Sequence, residues 1–326
     1  MKNKSLKKTV PVLIIISIIG ILTLIFSQNK KEKKQSSIPA DKEMMKKHLF
    51  ALTKTPQFRN HKNINQLNNI ADYIKNDFEN YSAETSFQEY DINGEKYKNV
   101  IASFGPQNAT RIIIGAHYDV CGDQEGADDN ATGVTALLEL ARMLKDQQLN
   151  YRIDLVAYTL EEPPYFRTEN MGSYVHAKSL KDEKADVFGM ISVEMIGYFS
   201  DKENSQDYPL GILSWVYGKK GDYITLVKKF GGGEFVRKFI KNYHETNQLK
   251  TETFSAPKSL TGIDFSDHLN YWNFGYNALM ITDTSFYRNK NYHEKGDTLE
   301  TLDLPKMANV IDGIFLSLQE LNKNRE

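Results

Sequence analysis

The residues of this chain that are best suited to chemistry are carboxylates and histidines, which recur in short groups between positions 117 and 293. The groups are His117-Tyr118-Asp119, Asp128-Asp129-Asn130, Glu161-Glu162, Glu194, His268 and His293. Imidazole and carboxylate are common protein ligands of zinc, and a metal-dependent hydrolase also needs a carboxylate that remains free to act as a base. The pattern therefore predicts a shared metal site with a base beside it.

Three of these groups stand at the ends of predicted strands. His117, Glu161 and Glu194 each lie at or just beyond the end of a short apolar run that contains several β-branched residues. Asp128 lies shortly before residues 133–144, whose apolar side chains have helical spacing. Ligands of open α/β sheets gather beyond the carboxyl ends of the strands. These side chains are therefore expected at one edge of a sheet.

Alternating strand and helix patterns predict a single three-layer α/β/α domain at residues 41–326, with a mixed, mostly parallel central sheet. The predicted strands are residues 97–104, 111–116, 153–159, 187–193 and 278–281, and the predicted helices lie at 44–52, 64–78, 133–144, 172–180 and 304–321. The segment 200–261 is expected to shape the rim of a cleft.

Each acidic group also has a purely structural interpretation. Alternation along a strand sends His117 and Asp119 to the same side, where Asp119 could accept an imidazole N–H, but the histidine could equally cap a loop. Helix capping explains one of the three residues from Asp128 to Asn130, and a carboxylate with two oxygens can instead bridge two cations.

Glu161 and Glu162 form the most diagnostic pair. Two adjacent carboxylates repel each other unless cations neutralise one or both of them. One carboxylate can then bind a metal while the other takes a proton from water. The alternative is a pair of solvated surface glutamates, and the buried apolar strand that leads into the pair argues against it.

Together the stretches GAHYD, GADDNATG, EE, VEMIGY, SDH and YHEKGDT resemble peptidase family M28, the zinc aminopeptidases with two cooperating metal ions, across about residues 44–321. The resemblance implies the zinc exopeptidase fold and two Zn²⁺ ions per chain. It assigns the bridging position to Asp128 and the general base to Glu161. The remaining implied ligands are His117 and Glu194 on one zinc, and Glu162 and His293 on the other.

The function implied by this resemblance is peptide hydrolysis at the amino terminus of a peptide or protein. A hydroxide shared by the two ions would attack the carbonyl, with Glu161 moving the proton. Tyr292 could donate a hydrogen bond to the carbonyl oxygen, although a packing role is the alternative. His268 is a second possible imidazole ligand in place of His293. Several characterised members have Asp where this chain has Glu194.

Two other functions fit the same scaffold. A glutaminyl cyclase uses one zinc and a reduced ligand set, and a non-catalytic binding module is expected to have lost ligands. Because this chain retains the complete set that the resemblance implies, a peptidase is favoured.

The remaining sequence bounds the location and the partners. The formal net charge is -1, which removes the electrostatic reason to expect nucleic acid. Lysines flank an apolar run at residues 10–26, so residues 1–27 are expected to be a signal anchor or signal peptide, followed by a polar linker at 28–40. The expected location is the cell membrane with an extracytoplasmic domain, or outside the cell if the segment is cleaved.

Overall fold

The computed structural model describes residues 35–82, 84–260 and 262–323. Its centre is one mixed sheet, in which the eight strands found among these residues follow the order β1-β2-β4-β3-β5-β8-β6-β7. The strands are β1 Glu84–Ile92, β2 Glu95–Phe104, β3 Arg111–His117, β4 Arg152–Tyr158, β5 Val187–Glu194, β6 Ile224–Lys229, β7 Thr251–Ala256 and β8 Ala278–Thr282. The helices are α1 Lys42–Thr53, α2 Ile64–Phe78, α3 Thr132–Leu144, α4 Gly172–Asp182, α5 Leu213–Tyr217, α6 Gly233–Thr246, α7 His268–Asn273 and α8 Leu304–Lys323.

The four strands at the middle of the sheet, β4, β3, β5 and β8, are all parallel. The outer pairs β1–β2, β2–β4 and β8–β6 are antiparallel, and β6 pairs with β7 in parallel. Because the central strands run in one direction, their carboxyl ends meet at one edge of the sheet. The sequence prediction of a mixed α/β sheet is confirmed.

Hydrophobic cores cover both faces of the sheet. Ile112 and Ile114 of β3 face the core that α1, α2, α3, α6 and α8 build, whereas Ile113 faces a second core that contains residues of α4 and α7. This alternation follows from the period of two along a strand. Helices on both faces leave the ends of the parallel strands as the place where polar side chains can collect.

The segment 200–261 contributes more to the fold than the cleft rim that the sequence predicted. It contains two further strands, β6 and β7, with α6 between them, and so it extends the sheet rather than forming only a rim. β7 is an edge strand, and all its residues except Ala256 are only half-buried. Its mixed polar and apolar sequence, TETFSA, therefore lacks the buried apolar run that identified the central strands.

The folded part begins slightly before the expected boundary at Asp41. Ala40 is buried, its backbone N–H donates to Asp312 Oδ1 at 2.8 Å, and Ile38 packs against the core. Asp41 caps α1 by accepting from the backbone N–H groups of Glu43 and Met44. Within the described residues, no helix has the length and apolar character to cross a bilayer. The expected anchor at residues 1–27 lies outside them.

Candidate metal centre

One half of the candidate site lies where β3 and β5 end side by side. His117 is the last residue of β3, Glu194 is the last residue of β5, and both are buried. His117 Nε2 lies 3.4 Å from Glu194 Oε1 and 3.3 Å from Asp129 Oδ1. The other ring nitrogen, Nδ1, lies 3.1 Å from the backbone oxygen of Asp119. This contact orients the ring so that Nε2 faces the carboxylates.

The other half joins Glu162, which follows β4, to His293 in the loop before α8. His293 Nε2 lies 3.2 Å from Glu162 Oε2 and 3.2 Å from Asp129 Oδ2. The two oxygens of Asp129 therefore face two different histidines. A carboxylate placed in this way can be shared by two cations.

The structure corrects the expectation that Asp128 occupies this shared position. Asp128 turns away from both histidines: its Oδ1 accepts from the backbone N–H of Gly197 at 3.0 Å, and its Oδ2 accepts from Asn289 Nδ2 at 2.9 Å. The backbone of Asp129 is not helical (φ -103°, ψ 91°), so the two consecutive side chains leave the loop in different directions. Asp129 takes the place between the histidines.

Two further aspartates hold the loops that carry these side chains. The Asp297 carboxylate accepts the backbone N–H groups of Asp128 at 2.9 Å and Asp129 at 3.0 Å. The Asp119 carboxylate accepts those of Glu161 and Glu162, each at 3.1 Å. It lies 3.6 Å from His117 Nδ1, too far for the imidazole hydrogen bond that the sequence suggested.

The SDH stretch contributes its serine to the cluster rather than its histidine. Ser266 Oγ donates to Glu194 Oε2 at 2.7 Å. His268 instead places Nε2 2.9 Å from the backbone oxygen of Ile263, with its ring edge against Trp272. Burial lowers the pKa of His268 to about 4, so the ring is neutral at pH 7. His293, not His268, is the histidine that meets Glu162.

The donor set fits a cation. Among the described residues, Glu162 Oε1 is buried without a hydrogen-bond partner, and Asp129 Oδ2 meets only His293 Nε2, at 3.2 Å. Such atoms cost about 1–3 kcal/mol each when nothing pairs with them. One ligand atom from each of His117, Asp129 and Glu194 lies within 4.8 Å of the others, as in a metal-binding group. Positive ions bound at the two halves of the site would pair with these acceptors.

The electrostatics of the cluster support the same interpretation. Four carboxylates, from Asp129, Glu161, Glu162 and Glu194, are buried beside the buried imidazole of His117 and the partly exposed one of His293. Burial opposes the charged form of His293, but Asp129 and Glu162 raise its pKa to about 10. Burial and the charge of Asp129 raise the pKa of Glu162 to about 8. Four ionised carboxylates would exceed the charge that two imidazoles can balance, and bound cations would let the carboxylates stay ionised.

Glu161 and Tyr292 line the opening of the site. Glu161 Oε2 lies 4.0 Å from His117 Nε2, and no side-chain hydrogen bond holds Glu161 among the described residues. The Tyr292 ring stacks on His293, with a centroid distance of 3.8 Å. Burial raises the pKa of Tyr292 far above its usual value, so the hydroxyl keeps its proton. Burial also raises the pKa of Cys121 to about 12, which leaves a thiol and not a nucleophilic thiolate.

A cavity of about 340 Å³ opens from the cluster and runs along the sheet toward β7. Its lining includes the cluster carboxylates at one end and mainly apolar and aromatic side chains beyond them. A cavity that joins reactive groups to an apolar wall is the usual form of a small-molecule or peptide side-chain site.

A sequence profile of peptidase family M28 matches residues 99–317, a range that contains all the cluster residues. The chain belongs to peptidase family M28. It is 44% identical over 287 residues to the uncharacterized protein YfbL of Escherichia coli, and the match covers 86% of this chain and 88% of that protein.

Other M28 relatives carry names that state an activity. Leucine aminopeptidase 1 of Ajellomyces dermatitidis is 25% identical over 220 residues, and the match covers 64% of this chain and 52% of that protein. The fold resembles the LapA aminopeptidase of Legionella pneumophila (TM-score 0.69, 18% identity, 90% of this chain and 78% of that chain). It also resembles the glutaminyl cyclase of Fimbriiglobus ruber (TM-score 0.63, 17% identity, 89% of this chain and 99% of that chain). This M28 chain therefore shares its fold with enzymes of two reaction classes.

Sequence reasoning missed three residues of this M28 site. The bridging position was assigned to Asp128 instead of Asp129, because the sequence does not show in which direction the loop points each of the two side chains. Asp297 stands in the YHEKGDT stretch, and Ser266 in SDH. Both stretches had been recognised, but the sequence alone did not show which of their residues would reach the cluster.

Proposed function

We propose that this chain is a zinc-dependent aminopeptidase with two metal ions per chain. The observation that carries the proposal is the position of Asp129, whose two oxygens face His117 and His293. One zinc would be held by His117, Asp129 and Glu194, and the second by His293, Asp129 and Glu162. The donor set of imidazoles and carboxylates is typical of catalytic zinc.

Bound zinc would activate the attacking water and polarise the peptide carbonyl. Glu161 is the carboxylate left outside both ligand sets, and we assign to it the role of general base. It takes a proton from the water and returns that proton to the leaving amine. Tyr292, with its protonated hydroxyl, donates to the carbonyl oxygen as negative charge develops there.

Selectivity for a free amino terminus is supported by charge and shape. The buried carboxylates at the mouth of the cavity attract an ammonium group. The cavity beside them, about 340 Å³, is large enough for one long side chain. An amino-terminal residue would place its amine at the cluster and its side chain in the cavity.

The zinc content of purified protein tests the ligand assignment. Wild type and Asp128→Asn are expected to bind two zinc ions per chain, because Asp128 lies outside the cluster, whereas Asp129→Asn loses zinc. Elemental analysis after dialysis, with circular dichroism to check the fold, provides the measurement. If Asp128→Asn loses zinc and Asp129→Asn keeps both ions, the assignment is wrong. A single zinc in the wild type would favour glutaminyl cyclase chemistry.

We also propose that residues 1–27 anchor the enzyme in a membrane and place the peptidase domain outside the cytoplasm. The support is the lysine-flanked apolar run at 10–26. The full-length chain is expected to remain in the membrane fraction after alkaline carbonate extraction, and a chain lacking residues 1–34 to be released. Release of the full-length, unprocessed chain would contradict the anchor.

A further inference from the structure

The floor of the cavity is a face of the sheet on which four side chains stand in register. Glu194 of β5 is paired with Thr282 of β8, Thr282 with Thr225 of β6, and Thr225 with Glu252 of β7. Paired positions of neighbouring strands share a face, so this row runs from the metal cluster straight to the edge strand. Glu194 and Glu252 are therefore the two ends of one polar row.

A second row lies beside the first and is apolar where it lines the cavity. Met280 of β8 is paired with Val227 of β6, and Val227 with Phe254 of β7. Long basic side chains bury their methylene stems against apolar surface of this kind and keep the charged end at a polar partner.

Beyond the metal cluster, the charged groups that line the cavity are carboxylates. They belong to Asp207 and Glu252, and none of the described lining residues is a lysine or an arginine. Lys290 pairs with Asp207 from outside at 2.6 Å. At the far end, Lys250 stands 3.8 Å from Glu252 and 3.4 Å from Asp222, so one exposed lysine is shared by two acids. A net negative charge therefore remains beside Glu252.

Aromatic and hydroxyl groups complete the far end. The rings of Tyr208 and Tyr217 are stacked at 6.2 Å, and burial together with the charge of Glu252 raises the pKa of both hydroxyls. Aromatic faces attract cations. Thr225 is 5% exposed, lines the cavity, and its hydroxyl has no partner among the described residues. A ligand that enters this end can therefore bind a carboxylate, aromatic faces and a vacant hydroxyl.

Side-chain length and charge together separate the ligands that Glu252 can attract. Three strand spacings of about 4.8 Å put the Cα atoms of Glu194 and Glu252 about 14 Å apart. A lysine side chain extends about 6 Å from Cα to Nζ. With its amine at the cluster, a lysine therefore carries its charge part of the way toward Glu252, whereas leucine carries no charge into the cavity.

We propose that the site selects peptides whose amino-terminal residue is lysine or arginine, with the stem on Val227 and Met280 and the cationic end directed toward Glu252. This inference rests on the proposed aminopeptidase function and adds the substrate class to it. Glu252 is a specificity-determining residue here. It takes no part in bond cleavage.

Three aminoacyl 4-nitroanilides, of lysine, arginine and norleucine, test the inference on the zinc-loaded enzyme. Norleucine has the stem of lysine without its amine. Wild type is expected to give a higher kcat/KM for lysine and arginine than for norleucine. Glu252→Gln is expected to lower that preference roughly tenfold, since the attraction of the Glu252 carboxylate for the cationic end is lost. Glu245→Gln, at an exposed carboxylate of α6, is the matched control and keeps the preference.

A binding measurement accompanies the kinetics, because product affinity does not depend on turnover. Calorimetry with free L-lysine and L-norleucine is expected to show tighter binding of lysine by wild type, and a smaller difference for Glu252→Gln. The inference is overturned if wild type hydrolyses the norleucine anilide better than the lysine anilide, or if Glu252→Gln keeps the wild-type preference. In either case, hydrolysis of the anilides still supports the proposed aminopeptidase function. If none of the three anilides is hydrolysed, the proposed function is contradicted. The calorimetry still tests the inference in that case, and equal affinities for lysine and norleucine would contradict it.

Discussion

At the scale of single residues, Glu161 differs from the other carboxylates of the cluster because it has no close histidine partner. Asp129, Glu162 and Glu194 each lie within 3.4 Å of a histidine nitrogen, whereas Glu161 approaches His117 only to 4.0 Å. A general base must reach the water and then the leaving amine, so a side chain without fixed partners suits that role.

Replacing Glu161 by Gln is therefore expected to leave the zinc content unchanged and to lower kcat by about 10²–10⁴-fold, the usual contribution of acid–base catalysis. Steady-state kinetics with zinc analysis of the same preparation provides the measurement. Glu169→Gln changes an exposed carboxylate of the same loop and serves as the control. Full activity in Glu161→Gln would remove Glu161 from the role.

The residue types of the site were predictable from the sequence, but the choice between neighbours was not. His117, Glu162, Glu194 and His293 meet in space as expected, because strand ends and a recognisable loop deliver them. Asp128 and Asp129 differ only in the direction in which the loop points each side chain, and that direction depends on Asp297 far along the chain. A contact between such distant residues leaves no local signal in the sequence.

At the scale of elements, buried apolar strands were easier to predict than edge strands. β3, β4 and β5 read as strands because both their faces are covered, so they are continuously apolar. β7 is half-buried and partly polar, so no sequence pattern predicted that it would pair with β6. The wall of the cavity that contains Glu252 was not predicted for the same reason.

Helix α4 carries a buried histidine whose titration links it to stability. His176 Nδ1 lies 2.6 Å from the Tyr271 hydroxyl, and burial lowers the pKa of His176 to about 3, against 6.5 for an exposed ring. Between these values the unfolded chain binds a proton that the folded chain does not. The stability that His176 contributes is therefore present above pH 6.5 and falls as the pH drops, by up to about 1.4 kcal/mol per unit.

His176→Gln removes this proton uptake from the unfolded state. The stability of the wild type is expected to fall more steeply than that of His176→Gln between pH 6.5 and pH 5. Urea unfolding at several pH values, in the presence of a chelator so that metal release does not contribute, measures both slopes. Parallel pH dependences for the two proteins would show that His176 titrates normally.

At the scale of the whole molecule, the central parallel strands bring His117, Glu162 and Glu194 to one edge of the sheet, and two loops add Asp129 and His293. A cavity then leads from this cluster across β8 and β6 to β7. Because the reactive groups and the apolar wall belong to one sheet, a substrate that fills the cavity is positioned at the cluster without further rearrangement.

The most direct test of the account compares one peptide with its N-acetylated twin, using zinc-loaded enzyme, enzyme treated with chelator, and treated enzyme with zinc restored. We expect release of the first residue from the free peptide alone, loss of this activity on chelation and its return with zinc. Cleavage of the acetylated peptide at an equal rate would contradict the aminopeptidase assignment. Full activity after complete metal removal would contradict the metal centre itself.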